Sequence, residues 1–254
     1  MITLSSDFGS PYPASMRGVI LGQSDARLVD ISHDFPRGDV RTAAFWLREV
    51  LPYFPPAVHL AVIDPTVGSG RDVLVVRAGE HRLVGPDNGL LVPVARRLDD
   101  RFTCFRLTDV DAASNTFHGR DVFAPLAATI HEQPDPGSHP TLQPAVDPVG
   151  LSFPDAELDG QTARGTVLVI DGFGNAITNV PGEWLTPITG GTVCVDDRTV
   201  HAVSHYAAVE AGRPLVTVGS TSYVELAVNG GRGDEWFGLS TDDAVTMRRP
   251  ELDQ

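Results

Sequence analysis

The sequence predicts two domains of different texture, an α/β domain with a mostly parallel sheet followed by a small all-β domain. Three observations carry this reading. Up to about residue 132, short apolar runs alternate with segments of helical spacing; residues 134 to 155 then hold six prolines and few large apolar side chains; beyond residue 160, short strand-like runs are separated by glycine and proline turns. The expected division is an α/β catalytic domain over 1–135, a proline-rich linker or strap over 136–160, and a small β domain over 161–254. At 254 residues the chain has room for two cores.

In order, Ile2 to Ser6 form a short strand ending at Asp7, Gly9 breaks it, and Met16, Val19 and Ile20 repeat at helical spacing. Arg27 to Ile31 make a second strand with Asp30 near its end. Asp39 is placed to cap a helix that carries Ala43, Phe45, Trp46, Leu47, Val50 and Leu51 mostly inward and that Pro52, Pro55 and Pro56 close. Val58 to Ile63 suit a buried strand ending at Asp64. Val73 to Arg77 are strand-like, and Gly85 to Gly89 spell a tight turn, read as structural. A helix from Leu90 to Arg97 ends in cations that suit its dipole, and another runs from Asp121 to about Glu132. In the second half, Gly165–Ile170, Ala176–Val180, Thr192–Val195, Leu215–Val218 and Tyr223–Val228 are short strands that a small barrel or a sandwich would accommodate.

Composition removes several function classes. The formal charge is -14, which argues against nucleic acid or an anionic membrane as partner, because either requires clustered cations. All 19 basic residues other than histidine are arginine, which excludes a Schiff-base lysine and a Walker-type phosphate loop. Cys104 and Cys194 are too few and too far apart for a disulfide framework or a zinc site, and fit a reducing compartment. The N-terminal stretch meets an aspartate at position 7 and no apolar run reaches the length of a signal or membrane segment, so a cytoplasmic protein is expected. GxSxG, HExxH and GxGxxG motifs are absent. His201 and His205 fall in a strand-like region where a four-residue spacing gives no common face, so no metal site is expected.

The candidate chemistry lies at strand ends. Asp7, Asp30 and Asp64 end three strands joined by helical crossovers, which in a parallel sheet brings them to one edge; turn-forming aspartates in chance alignment are the alternative, and Asp30 has the fewest chemical neighbours. After Asp64, Pro65, Gly68 and Gly70 allow the chain to turn so that Arg71 folds back toward the carboxylate; a plain Asp-Pro turn with a surface arginine is the competing reading. His118 sits at a loop-to-helix junction, and a lone histidine in such a place is more often a structural residue than a chemical one. In the second half, IDGFGNAITN places Phe173 between glycines and Asn175 at an exposed turn, with an amide suited to the edge of a base; a plain tight turn over DGFGN is the competing reading.

The succession SSDFG, VDISHDFP, VHLAVIDPTVGSGR, VGPDNGLL, FHGRDVFAP and IDGFGNAITN resembles the SAM hydroxide adenosyltransferases, the water-using relatives of the SAM-dependent fluorinase and chlorinase. Each string alone is weak, but the six occur in order over nearly the whole chain. The resemblance implies a C-terminal β-barrel, a homotrimer with sites between the N-terminal domain of one subunit and the C-terminal domain of the next, and hydrolysis of S-adenosyl-L-methionine to adenosine and L-methionine without metal or cofactor. It places the catalytic set at Asp64, Arg71 and His118, the ribose-binding aspartate at Asp7, the adenine-reading asparagine at Asn175, and a further substrate contact at Ser220. Phe173 would stack on adenine or pack in a core. Asp64 and Val67 stand where the halogenases have a tyrosine and a halide-holding threonine, so water is the implied nucleophile. The loop after Asp7 is shorter than usual and lacks a common acidic residue, and Thr66 replaces a typical glycine.

Attack at C5′ expels a neutral thioether from a sulfonium, so the leaving group needs no acid; the water needs positioning and a base. Asp64 and His118 both qualify as proton acceptor, with Arg71 orienting Asp64. A non-catalytic binding protein for the same ligand, or a halogenase, are the competing functions.

Overall fold

The computed structural model describes residues 1–108 and 117–250, which fall into two compact units, Met1–Ser152 and Phe153–Gln254. The first unit is a seven-stranded sheet with helices. Its strands are β1 (Ile2–Ser6), β2 (Leu28–Ser32), β3 (Val58–Val62), β4 (Val73–Ala78), β5 (His81–Pro86), β6 (Thr103–Leu107) and β7 (Leu142–Ala145), in the order β2-β1-β3-β5-β4-β6-β7. The first four in that order are mutually parallel; β4 opposes β5, and β6 opposes β4, so only β4 and β7 run against the rest. Strands covered on both faces lose the apolar-polar alternation, and β1 and β3 are buried at every position.

The helices follow local chemistry. The first, α1 (Tyr12–Leu21), begins with Pro13 in its first turn, where the missing N–H costs nothing, and buries Pro13, Met16 and Ile20. In α2 (Val40–Val50) the Asp39 side chain accepts from Thr42 N at 2.9 Å, the capping bond its position predicts; Leu51–Tyr53, around Pro52, tightens into a 3₁₀ turn. After α3 (Val92–Leu98), the last helix differs from expectation. Gly119–Phe123 form a π-helical turn that leads into α4 (Ala124–Glu132), so the helix starts two residues earlier than Asp121 and with a wider first turn. Ile2, Leu4, Leu60, Val62, Phe123, Ala127 and Ile130 form the core between this helix and the sheet. Leu142–Ala145, within the proline-rich stretch, add an edge strand that pairs only with β6, where Pro144 deprives the sheet of no interior bond.

Below the core, one buried polar chain crosses the sheet. Thr3 Oγ1 meets His59 Nδ1 at 2.8 Å, and His59 Nε2 meets His81 Nδ1 at 2.9 Å. Burial, reinforced by His81, pushes the His59 pKa down from 6.5 to about 3. Between those values the unfolded chain binds a proton that the folded ring refuses. The stabilisation is therefore complete above about pH 6.5 and is lost as pH falls toward 3. Urea unfolding at pH 7.5 and 5 is expected to show the lower stability at pH 5, with a shallower pH slope in His59→Gln; equal slopes would remove His59 as the cause.

The second unit is a closed barrel. Its strands are β8 (Glu157–Asp159), β9 (Thr162–Ile170), β10 (Ala176–Pro181), β11 (Thr192–Val195), β12 (Arg198–Ala202), β13 (Pro214–Val218), β14 (Tyr223–Val228) and β15 (Ala244–Arg248). Seven of them close in the order β10-β14-β13-β12-β11-β15-β9, while β8 adds to β9 outside the ring. The long β9 makes this possible: residues 162–166 pair with β15, and Val167, Val169 and Ile170 pair with β10. Val167, Val180, Leu185, Val193, Val216, Leu226 and Met247 fill the interior. Of the two architectures open to the sequence, the structure is the barrel.

Candidate active site

In an open parallel sheet, ligand sites form beyond the carboxyl ends of the strands, and the cleft of the first unit lies there. It has a volume of about 620 Å³, and Asp7 and Phe8 after β1, Arg37 and Gly38 after β2, and Asp64, Pro65 and Val67 after β3 line it, with Phe117, His118 and Gly119 entering from the start of the π turn.

Arg71 does fold back. Its Nε lies 2.9 Å from both Asp64 oxygens, and Nη2 closes a second bond to Oδ2. The Asp64 side chain is 2% exposed and that of Arg71 8%, so the pair is shielded and the charge-assisted bonds are not diluted by solvent. The guanidinium rests over the Phe123 ring, 5.0 Å from its centroid. Asn88 fixes the other side of the aspartate: its Nδ2 donates to Ile63 O at 2.8 Å, holding the carbonyl that precedes Asp64, and its Oδ1 accepts from Leu90 N at 3.2 Å. The turn expected over Gly85–Gly89 begins only after Pro86, because Gly85 and Pro86 pair with β4, and it braces the site as well as turning the chain. An asparagine beside the end of a neighbouring strand was the available signal.

His118 is buried, and its Nδ1 lies 3.3 Å from Arg71 Nη2. A guanidinium only donates, so Nδ1 is the acceptor and the neutral ring carries its proton on Nε2. His118 is positioned by the next turn: a Cβ on Gly119 would lie 2.9 Å from the Phe8 ring, so glycine is required for the backbone to pass, and Phe8 and Tyr12 both meet Phe117 edge-on. Asp7 accepts from Gly38 N at 2.7 Å, with Gly38 at φ +74, and presents its carboxylate to the same cleft. Asp30 does not join them. It lies inside β2 and pairs with Arg17 and, at 3.2 Å, with His33.

The three remaining candidates lie in the barrel unit. Phe173 is 80% exposed, which removes the core reading of this ring. Asn175, expected at an exposed turn, is 6% exposed, because Asp171 organises the loop: Oδ1 accepts from Phe173 N at 2.9 Å and Asn175 N at 2.8 Å, and Oδ2 accepts from Asn175 Nδ2 at 2.9 Å. Behind it, Tyr206 OH lies 3.4 Å from Asn175 Nδ2 and donates to Glu225 Oε2 at 2.8 Å; burial holds the Glu225 carboxyl above its ordinary range despite that bond. Asp171, Tyr206 and Glu225 were missed by sequence reasoning, since nothing local links Asn175 to side chains as distant along the chain as Tyr206 and Glu225. Ser220 is exposed in the β13–β14 turn, next to Gly219, whose missing Cβ leaves room for Glu225. Among the described residues, no group of three or more His, Cys, Asp or Glu side chains is arranged to hold a metal ion.

Taken by class, this is an α/β protein with a β-barrel unit, and the cleft of its first unit combines a guanidinium-bound carboxylate, a histidine against the same guanidinium and a second carboxylate. The chain belongs to the SAM hydroxide adenosyltransferase family: the family's N-terminal domain matches residues 2–138 and its C-terminal domain residues 165–246. Its relatives include the (R)-S-adenosyl-L-methionine hydrolase of Salinispora tropica, 38% identical with 97% of each chain covered. The protein of the same name from Thermus thermophilus is also 38% identical, with 95% of this chain and 97% of the relative covered. The fold is that of an uncharacterized conserved protein from Thermotoga maritima, with a TM-score of 0.85 at 27% identity over 98% of this chain and 100% of that one.

Proposed function

We propose that the chain hydrolyses S-adenosyl-L-methionine to adenosine and L-methionine by attack of water at C5′. The observation that carries this reading is the shielded Asp64–Arg71 pair with His118 against it, facing the cleft that Asp7 also enters. Asp7 accepts hydrogen bonds from the two ribose hydroxyls and so fixes C5′. A water held between Asp64 and His118 attacks C5′; the O–C5′ bond forms as the C5′–S bond breaks, its electron pair neutralises the sulfonium, and methionine leaves as a thioether. Because the His118 Nδ1 is engaged by Arg71 and the Nε2 carries the ring proton, the imidazole orients the water as a donor and Asp64 takes the proton. No metal or cofactor takes part.

With this goes a homotrimer in which Phe173, Asn175 and Ser220 of one subunit reach the cleft of the next; an apolar ring left 80% exposed is the feature that favours it. A cytoplasmic location is part of the same reading; no described helix is long and apolar enough to cross a membrane. The test is incubation of the purified protein with S-adenosylmethionine in ¹⁸O-water, with added chloride or fluoride in parallel. Adenosine carrying the label at its 5′ oxygen is expected. A stable bound complex without product, or a 5′-halo-adenosine at comparable rate, would sink it.

A further inference from the structure

Asp30 stays out of the cleft, yet it begins a line of contacts that ends beside Asp7. Within β2 it has Arg17 on one side, whose Nε donates to Oδ1 at 3.0 Å, and His33 on the other, whose Nε2 lies 3.2 Å from Oδ1. The opposite ring nitrogen, Nδ1, lies 2.7 Å from Ser6 Oγ. Burial and then the Arg17 cation push the His33 pKa down, so the ring is neutral near pH 7. A carboxylate beside Nε2 keeps the ring proton on that nitrogen, which leaves Nδ1 to accept from the Ser6 hydroxyl.

An aspartate, a histidine and a serine in line have the order of an activated nucleophile, but this serine has no access: Ser6 is fully buried at the end of β1. The line therefore holds and does not attack. Its place shows what it holds. Ser6 directly precedes Asp7, and the His33 carbonyl accepts from Gly9 N at 3.0 Å, two residues past Asp7. One histidine thus grips the chain on both sides of Asp7 and Phe8, by its ring and by its backbone. The loop that follows it supplies Gly38 N, which donates to Asp7 Oδ2 at 2.7 Å. Among the described residues the Ser6 hydroxyl has His33 as its partner, so removing the ring strands a buried donor next to the carboxylate.

We propose that His33, itself held by Asp30, is a positioning residue that sets the Asp7 carboxylate for the two ribose hydroxyls; this rests on the hydrolase reading above. Gly38 N engages one oxygen of Asp7, so the direction in which the other points is governed by the backbone at residues 6–9, where His33 is clamped. Loss of the clamp is expected to be felt at the ribose hydroxyls, whereas a general loosening of the fold would weaken every part of the ligand alike.

The experiment compares S-adenosylmethionine with its 2′-deoxyribose counterpart in the full-length wild type, His33→Ala, His33→Asn, Ser6→Ala and the double variant Ser6→Ala with His33→Ala. Wild type is expected to favour the ribose compound about tenfold or more in kcat/KM, the worth of a charge-assisted bond to the missing hydroxyl. His33→Ala brings that preference down to about twofold through a higher KM for S-adenosylmethionine, while KM for the deoxy compound stays within about twofold of wild type. Asparagine keeps an acceptor near the place of Nδ1 and restores most of the preference. Ser6→Ala loses as much as His33→Ala, and the double variant loses no more than either, since all three remove one contact. An unchanged preference in His33→Ala or Ser6→Ala, equal losses on both compounds, or a wild type that treats the two alike would overturn the assignment. Should His33→Ala not fold, Ser6→Ala decides by the same ratio. Should the wild type cleave neither compound, the hydrolase reading fails separately. Dissociation constants of S-adenosylhomocysteine and its 2′-deoxy counterpart for wild type and Ser6→Ala then decide the role of His33: a lost preference upholds it, and a kept or absent one rejects it.

Discussion

Asp64→Asn is expected to bind the adenosyl group as wild type does and to turn over about 10²- to 10⁴-fold more slowly, the usual contribution of a positioned base. The substitution keeps shape and removes charge. Arg71 now faces an amide that offers one acceptor where the carboxylate offered two, so the guanidinium loses part of the fork that fixes it against His118. The measurement is single-turnover adenosine release beside the dissociation constant of S-adenosylhomocysteine, whose uncharged sulfur makes a poor leaving group. Loss of binding together with turnover would mean that Asp64 holds ligand and does not act on water; unchanged turnover would take it out of the reaction.

The second large effect is expected at Phe123→Ala. Phe123 is fully buried between α4 and the sheet and also carries the Arg71 guanidinium on its face. Truncation leaves a cavity in a packed core and should cost about 3–5 kcal/mol of unfolding free energy, read from denaturant curves. It also removes the seat of Arg71, so turnover should fall in the protein that remains folded. Phe123→Leu, which keeps most of the volume but no π face, separates the two: stability largely returns while activity stays depressed. A change below about 1 kcal/mol in Phe123→Ala would show that the site tolerates collapse and that the ring is not the support described.

The parts of the fold legible in the sequence were those written in continuous runs. The fully apolar β3, the Asp39 cap and the prolines that close α2 each declare themselves within a few residues. What escaped depends on partners. β7 contains a proline and becomes a strand only because β6 offers an edge, and β12 and β15 are short, half-exposed and fixed by barrel neighbours. The π turn at Gly119 has no local sequence signature, and the Phe8 ring that crowds its glycine comes from the loop after β1. At the site, the seven-residue step from Asp64 to Arg71 was readable because two glycines permit the return. The bracing amide of Asn88 was not, because its partner Ile63 is 25 residues away, just past the end of another strand. The burial of Asn175 escaped for a similar reason: an exposed-looking loop is pulled in by Asp171 on one side and Tyr206 on the other.

The turn at residues 171–175 joins β9 to β10, the two strands whose pairing seals the barrel. On the proposed reading, in which Asn175 meets the base, recognition and closure share one short loop, tied by the same Asp171 carboxylate. A variant that loosens the loop to admit another base also unzips the seam, so altered selectivity there comes with a lower melting temperature.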